Sequence, residues 1–454
     1  MSVLSLGFSL ITTNITSSSS SPFLTFAPNP VFYLKRPKNY PPGPTALPIL
    51  GNLHQAKSPR HKTFMKWAET YGDIIGLHFG SVPVVVLNNY KLIREAYAEN
   101  VFAGRPQTNF IKERNFGGNR GVLFADGKVW SEQRRFALKN LRDFGFGKKS
   151  METAIMEEVK ELIVNFRKET GKPISSQNRF NVAVLNALWS ILTGERHSHD
   201  DPRLNKLIKT LTAALSHRPI SVTLAEFFPI VHFLRKTLPF LFDNTGKEFR
   251  DGTYALIGEV IKQHEETLQE DSPRDFVDVY LTEMRKTTDS NSTFYKEEGE
   301  KQLRVLMLDM FAAGAETTST TLTYSFLLLA LYPEVQDKLF EEIKRVVGVS
   351  RHVSLADRPE MPYFEGTIME IQRYASLVPL TTHIVHEDVQ FHGFTIGKGE
   401  TLAKDELFLF MGNLFQAFQV KTVEGEPKPK FETYVSIVLV PKPHKLVLVE
   451  RQST

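Results

Sequence analysis

Residues 303–331 read LRVLMLDMFAAGAETTSTTLTYSFLLLAL. The run is long and strongly apolar, and it predicts one extended helix. Near its middle stands Ala313-Gly314-Ala315-Glu316-Thr317-Thr318. An acid beside hydroxyl residues is costly inside an apolar helix unless it finds partners. Gly314 adds about 1 kcal/mol relative to alanine at such a position. Together they suggest a local opening of the helix, where a ligand or water meets freed backbone groups. Glu316 and Thr317 could deliver protons to something bound beside it. A capped kink in a plain core helix, or a membrane span, would read similarly. Asp309 and Glu316 argue against the span.

Outward from this helix the pattern stays helical. Pro333 sits near the start of the next helix, Glu334–Val347, where proline is tolerated. Ile368–Tyr374 lies on another, and Glu152–Phe166, Phe180–Leu192 and Gly252–Leu268 carry apolar residues at helical spacing. Ile74–Phe79 and Pro83–Leu87, separated by Gly80-Ser81, read as a hairpin. Beyond Val389 short strands return, and Leu402–Phe418 is again helical. The expected fold is mainly α with small β-sheets at both ends of the chain.

Composition narrows the function classes. The chain has 454 residues, 41% of them hydrophobic, enough for a large core. Its 55 basic and 51 acidic residues leave a net charge of +4, which gives no support for nucleic-acid binding. It contains no cysteine, so disulfides, zinc–thiolate sites, iron–sulfur clusters and cysteine nucleophiles are excluded. Residues 1–39 differ from the rest: a mildly apolar start, a hydroxyl-rich run from Thr12 to Ser21, and no acid before Glu69. No stretch there holds the ~18–20 apolar residues that span a bilayer. A disordered or misassigned leader, a degenerate membrane anchor and an organelle transit peptide all remain open. Lys35-Arg36-Pro37-Lys38-Asn39-Tyr40-Pro41-Pro42-Gly43-Pro44 follows as a stiff, extended segment.

Two side-chain pairs complete the residue-level reading. Glu370 and Arg373 share a helix face and can pair. Trp130 and Arg134, one turn apart, can form a cation–π contact. Each alone reads as ordinary surface or core decoration.

Their order and spacing together resemble the cytochrome P-450 superfamily of haem-thiolate monooxygenases, specifically its animal microsomal, family-two type. Tyr40-Pro41-Pro42-Gly43-Pro44 with Leu50-Gly51-Asn52 looks like the hinge after that family's membrane anchor. Phe102-Ala103-Gly104-Arg105-Pro106, Gly127 to Phe136, Leu141-Arg142-Asp143-Phe144-Gly145 and Asn186-Ala187-Leu188-Trp189 match further segments. So do Arg274-Asp275-Phe276 and Arg358-Pro359-Glu360-Met361-Pro362-Tyr363. The resemblance covers residue 35 or so to the end, with residues 40–454 as the domain. It implies haem b as cofactor. Arg105, Trp130, Arg134 and His383 would hold the haem propionates, and Glu316 and Thr317 would form an acid–alcohol proton relay. Phe311, Ala312 and Ala313 would line the substrate pocket. Glu370 and Arg373 would form a buried structural pair, of the kind that costs about 3–5 kcal/mol when one partner is removed. It further implies oxidation of a small lipophilic substrate by O2. Electrons would come from an NADPH-dependent cytochrome P-450 reductase, at the cytoplasmic face of the endoplasmic reticulum membrane; a mitochondrial location is the alternative.

The sequence departs from that pattern at one place. The family carries a loop ending in the cysteine whose thiolate ligates iron. Here Phe394–Gly399 resembles the strand before that loop, and Glu400–Phe410 the helix after it, with nothing between. About 50 residues are missing relative to a domain of usual size, so the fold is expected to be truncated on the proximal haem side. One residue spans at most ~3.6 Å, so the two flanks cannot keep their usual places. His383, His386, His392 and Met411 are nearest in sequence, and none occupies the lost loop; no metal ligand is assigned. The expectation is a chain inactive as written. The alternatives are a haem-free variant that binds or sequesters lipophiles, and a non-functional fragment from a gene-model or splice error.

Overall fold

The computed structural model describes residues 8–13, 39–57, 59–80, 82–144, 149–216, 220–385, 411, 413–435 and 438–451. The Gly399–Glu400 junction, its flanking strand and most of the helix expected after it lie outside the described residues.

The first sheet follows from β-branched runs. β1 (Phe8–Thr13), β2 (Ile74–Phe79), β3 (Val82–Leu87) and β5 (Leu380–Val385) form four strands in the order β2-β3-β1-β5. β2 and β3 are the expected hairpin, with Ile74 opposite Leu87. β1, inside the segment read as a leader, pairs antiparallel with β3 and parallel with β5. The proline segment docks on this sheet, where the Gly76 amide donates to the Pro42 carbonyl at 2.8 Å. Short helices α1 (Arg60–Tyr71), α2 (Tyr90–Ala96) and α3 (Asn109–Arg114) surround it in sequence.

The helical body follows. It comprises α4 (Gly127–Asp143), α5 (Lys149–Arg167), α6 (Asn181–Thr193), α7 (Pro202–Ser216), α8 (Ile220–Phe227) and α9 (Pro229–Thr237). Then come α10 (Thr245–Thr267), α11 (Phe276–Lys286), α12 (Lys296–Leu331), α13 (Pro333–Val346) and α14 (Pro362–Ala375). α12 is the axis. It runs 36 residues and packs against α6, α7, α10, α11 and α14. α10 begins at Thr245 rather than near Gly252, because Gly252 serves packing rather than starting the helix: a Cβ there would meet Leu207 Cδ2 of α7 at 2.6 Å. The Arg274-Asp275-Phe276 motif has a structural cause. Asp275 caps α11 by accepting from the Asp278 amide at 3.0 Å, and its other oxygen holds His264 of α10 at 2.8 Å.

The C-terminal part closes the core with small sheets. β4 (Pro173–Ser175), β6 (Phe418–Thr422) and β9 (Lys445–Glu450) form one sheet in the order β4-β9-β6, and β7 (Thr433–Val435) pairs with β8 (Leu439–Pro441). The helix expected to reach Phe418 stops earlier, since residues 413–417 are helical and Phe418 opens β6. Phe418 is buried against Phe166 of α5, ring centroids 6.2 Å apart, and this burial favours the strand over another turn of helix. Among the described residues no helix is long and apolar enough to cross a membrane.

Candidate active site

α12 carries the expected chemistry differently from the expectation. The helix is unbroken from Lys296 to Leu331, with no opening at Gly314. The glycine is there for contact: a Cβ would meet Leu188 Cδ2 of α6 at 2.7 Å. The hydroxyls satisfy themselves along the helix. Thr317 Oγ1 donates to the Ala313 carbonyl at 2.8 Å, and Thr321 Oγ1 to that of Thr317 at 2.9 Å.

Glu316 and Thr317 are on different faces, as a 100° step between neighbours requires. Glu316 is 1% exposed. Its Oε2 accepts from Thr212 Oγ1 of α7 at 2.8 Å and Asn181 Nδ2 of α6 at 3.2 Å, and its Oε1 from Thr320 Oγ1 at 3.1 Å. Burial raises its pKa above the ordinary carboxylate value; the donors from Thr212, Thr320 and Asn181 oppose that without cancelling it. Thr317 is only part-buried and shares a face with Met310, Ala313 and Gly314, none of them fully buried. Ala313 therefore lies where a ligand beside the helix could touch it. Ala312 is part-buried and packs on the core. Phe311 lies elsewhere: it is fully buried, edge-on to Trp189 at 5.7 Å and 6.0 Å from the Phe249 ring. It stands two positions from Ala313, which turns it through about 200° into the helical core.

Asp309 does more than argue against a membrane span. It pairs with Arg114, and its Oδ2 accepts from the Val122 and Leu123 amides at 2.7 and 2.9 Å. One carboxylate thus fixes the segment after α3 against α12. A buried acid in an apolar helix signals some partner, but Arg114 stands 195 residues away and nothing local in the sequence names it.

The four residues expected at carboxylate groups appear as two pairs. Arg105 Nη1 lies 3.1 Å from His383 Nε2 and donates to the Thr382 carbonyl at 3.1 Å. Arg134 stacks over the Trp130 ring, 5.3 Å from its centroid. Asp126 ties the two regions, since it precedes α4 and its Oδ2 accepts from the Arg105 amide at 3.0 Å. Trp130, Arg134, Arg135, Lys139 and Arg142 border a surface cleft of about 500 Å³ along α4. The pairing of Arg105 with His383 depends on sheet register, because β5 delivers the histidine from far along the chain.

Glu370 and Arg373 do pair, through two bonds of 2.7 Å. The pair is not buried: the side chains are 60% and 46% exposed. It borders a largely apolar groove of about 510 Å³ between the end of α12 and α14, lined by Leu328, Tyr332, Val335, Ile371 and Tyr374 among others. The absence of a burying neighbour, among the described residues, is the physical reason for the difference.

Comparison with known proteins identifies this architecture. The profile of the cytochrome P450 family matches residues 41–401. The chain is 34% identical to cytochrome P450 2J3 of Rattus norvegicus over 92% of both chains. It is 34% identical to cytochrome P450 2J2 of Homo sapiens, over 91% of this chain and 92% of the human one. It is 30% identical to the farnesoate epoxidase of Bombyx mori, over 91% and 94%. The chain belongs to the cytochrome P450 family, a family of monooxygenases with haem b as cofactor. Within it, the relatives place the chain with the animal family-two type.

Proposed function

We propose that this chain descends from an enzyme that oxidises a lipophilic substrate with O2 and NADPH, and that as written it does not turn over. The observation that carries this is the absence of cysteine from all 454 residues. The cofactor's two sides fit unequally. Arg105, Arg134, Trp130 and His383 suit carboxylates, with guanidinium groups that make always-charged, bidentate contacts. The iron side does not fit, because no residue can supply the thiolate that pushes electron density toward O–O cleavage.

Three observations support an internal deletion at Gly399–Glu400. The family match ends at residue 401. The alignment with the rat relative runs over 475 positions, more than the chain's 454 residues, so it opens gaps in this chain. The Glu370–Arg373 pair and the apolar groove beside it are left open to solvent. The membrane surface of the endoplasmic reticulum is the proposed location. Ile230, Phe233, Leu234, Phe240 and Leu241 are exposed on and after α9, beside Arg235 and Lys236, a combination suited to an anionic lipid surface. The cationic cleft along α4 suits an acidic partner such as a flavoprotein reductase.

A carbon-monoxide difference spectrum of the purified, haem-supplemented chain tests the reading. The expected result is no thiolate-type Soret band; its appearance in this cysteine-free chain overturns the proposal. A second reading, a haem-free binder of lipophiles, is favoured by the apolar groove of about 510 Å³ between α12 and α14. It requires cooperative unfolding and binding of an apolar ligand without haem.

A further inference from the structure

His264 and Asp275 join the end of α10 to the start of α11, and the geometry around the histidine fixes its charge. The two residues are buried, 5% and 3% exposed. His264 Nδ1 lies 2.8 Å from the Val260 carbonyl oxygen, which can only accept. Nε2 lies 2.8 Å from Asp275 Oδ2, while the other oxygen of that carboxylate accepts from the Asp278 amide at 3.0 Å. Each ring nitrogen therefore donates, and a ring with two N–H donors is an imidazolium. Moving the Nε2 proton onto Asp275 would neutralise the N-cap of α11, where the helix dipole favours negative charge. His264 stands in the last turn of α10, where the dipole favours positive charge.

No other cation is available to Asp275. Arg274 is committed to Asp278, through Nε at 2.6 Å and Nη2 at 2.9 Å, and its Nη2 also reaches Thr267 Oγ1 of α10 at 3.0 Å. On α7, Arg203 pairs with Glu259 of α10; on α12, Arg304 pairs with Glu300 beside Gly258; neither bonds to the ring. The end of α6 approaches Asp275 Oδ2 through Gly194, whose Cβ would stand 3.3 Å away, with Glu195 next in the chain. On α10 itself Lys262, Glu265 and Glu266 are exposed. We infer that His264 is a proton-gated clasp. Protonated, it ties α10 to the N-cap of α11; on losing its proton it leaves Asp275 buried without a counter-charge and loosens the first turn of α11. Burial alone would lower the histidine's pKa, but Asp275, the Val260 carbonyl and Asp278 outweigh it and hold the value above the ordinary 6.5. The clasp's contribution is therefore fully present below pH 6.5 and is lost as pH rises through the folded-state value. It is independent of haem and of the missing thiolate.

The experiment uses the full chain with its 13 histidines labelled in the ring nitrogens, read by nitrogen NMR across a pH series. His264→Gln identifies the His264 signal by its loss. At pH 6.5, where an ordinary histidine is half protonated, His264 is expected to be mostly doubly protonated. Asp275→Asn keeps an oxygen for the Asp278 amide but removes the charge, and should move the His264 titration to lower pH. Amide exchange, corrected for its intrinsic pH dependence, reads the clasp itself. Protection of the Asp278 amide in wild type should fall up to tenfold per pH unit between pH 6.5 and the His264 titration point, then level off. His264→Gln should show no such fall. A neutral His264 at pH 6.5, or an unchanged titration in Asp275→Asn, overturns the charged pair and the clasp with it. A charged His264 whose titration leaves the Asp278 amide's protection unchanged overturns the gating alone. Should either variant fail to fold, the wild-type spectrum still decides: no histidine mostly doubly protonated at pH 6.5 overturns the pair.

Discussion

Arg114–Asp309 and Arg373–Glu370 are chemically the same interaction in opposite surroundings. The first joins α12 to the last residue of α3, with side chains only 9% and 2% exposed. The second stands on α14 with side chains 46% and 60% exposed, above an apolar groove. On one side of the molecule α12 is enclosed by α6, α7, α10 and α11, and its polar groups have partners. On the other, a pair and a hydrophobic surface that normally call for cover lie open. Contiguous apolar grooves of this kind mark a binding surface or a missing neighbour. The worth of a charge pair is thus set by its enclosure, and each side predicts a different response to the same kind of substitution.

The largest effect belongs to the enclosed side. Asp309→Ala leaves Arg114 buried without its counter-charge and the Val122 and Leu123 amides without their acceptor. The expected cost is about 3–5 kcal/mol, read as a lowered urea midpoint. A loss below ~1 kcal/mol would mean that the two sides do not differ.

Glu316 sharpens the comparison by a subtler route. It is enclosed like Asp309 but has hydroxyl and amide donors in place of a cation. Its folded-state pKa is raised, so the fold favours the protonated form. Stability is then fully present below the unfolded value and declines as pH rises toward the folded one, because there the native state binds more protons than the unfolded chain. Glu316→Gln removes this decline. The variant is expected to match wild type near pH 4 and to be the more stable of the two near pH 8, read as a higher urea midpoint. A variant that loses stability at the higher pH would show that the charge is compensated after all.

The enclosed side was also the more legible in the sequence. The long apolar run gave α12, and its neighbouring helices followed from apolar spacing to within a few residues at most ends. What failed there was direction. Adjacency made Glu316 and Thr317 look like one unit, yet helical rotation puts them on different faces, and the same rotation sends Phe311 into the core. Gly314 and Gly252 read as helix weaknesses because the leucines they accommodate belong to other helices. The Arg105–His383 contact and the place of β1 rest on sheet register between distant segments, which local patterning does not encode. On the open side the pairing of Glu370 with Arg373 was legible from their spacing, but its exposure was not. Burial depends on what packs above, and no residue of the helix states that.

The smallest effect therefore carries the sharpest test. Arg373 makes two good hydrogen bonds to Glu370, which hold the Glu370 carboxyl below its usual range. Solvent nevertheless screens the pair, and exposed pairs contribute little however good their geometry. In this chain Arg373→Ala should leave the thermal midpoint within about 1–2 °C of wild type. The outcome changes if a neighbour is restored. In a chimera carrying the corresponding segment of the rat relative between Gly399 and Glu400, the deletion reading puts protein over the α14 face and takes water from the pair. The same substitution should then lower the midpoint several-fold more, because one partner is left charged and buried. Equal, small shifts in both backgrounds would mean that the pair is a surface feature of this protein, and that the groove beside it is not the seat of a lost segment.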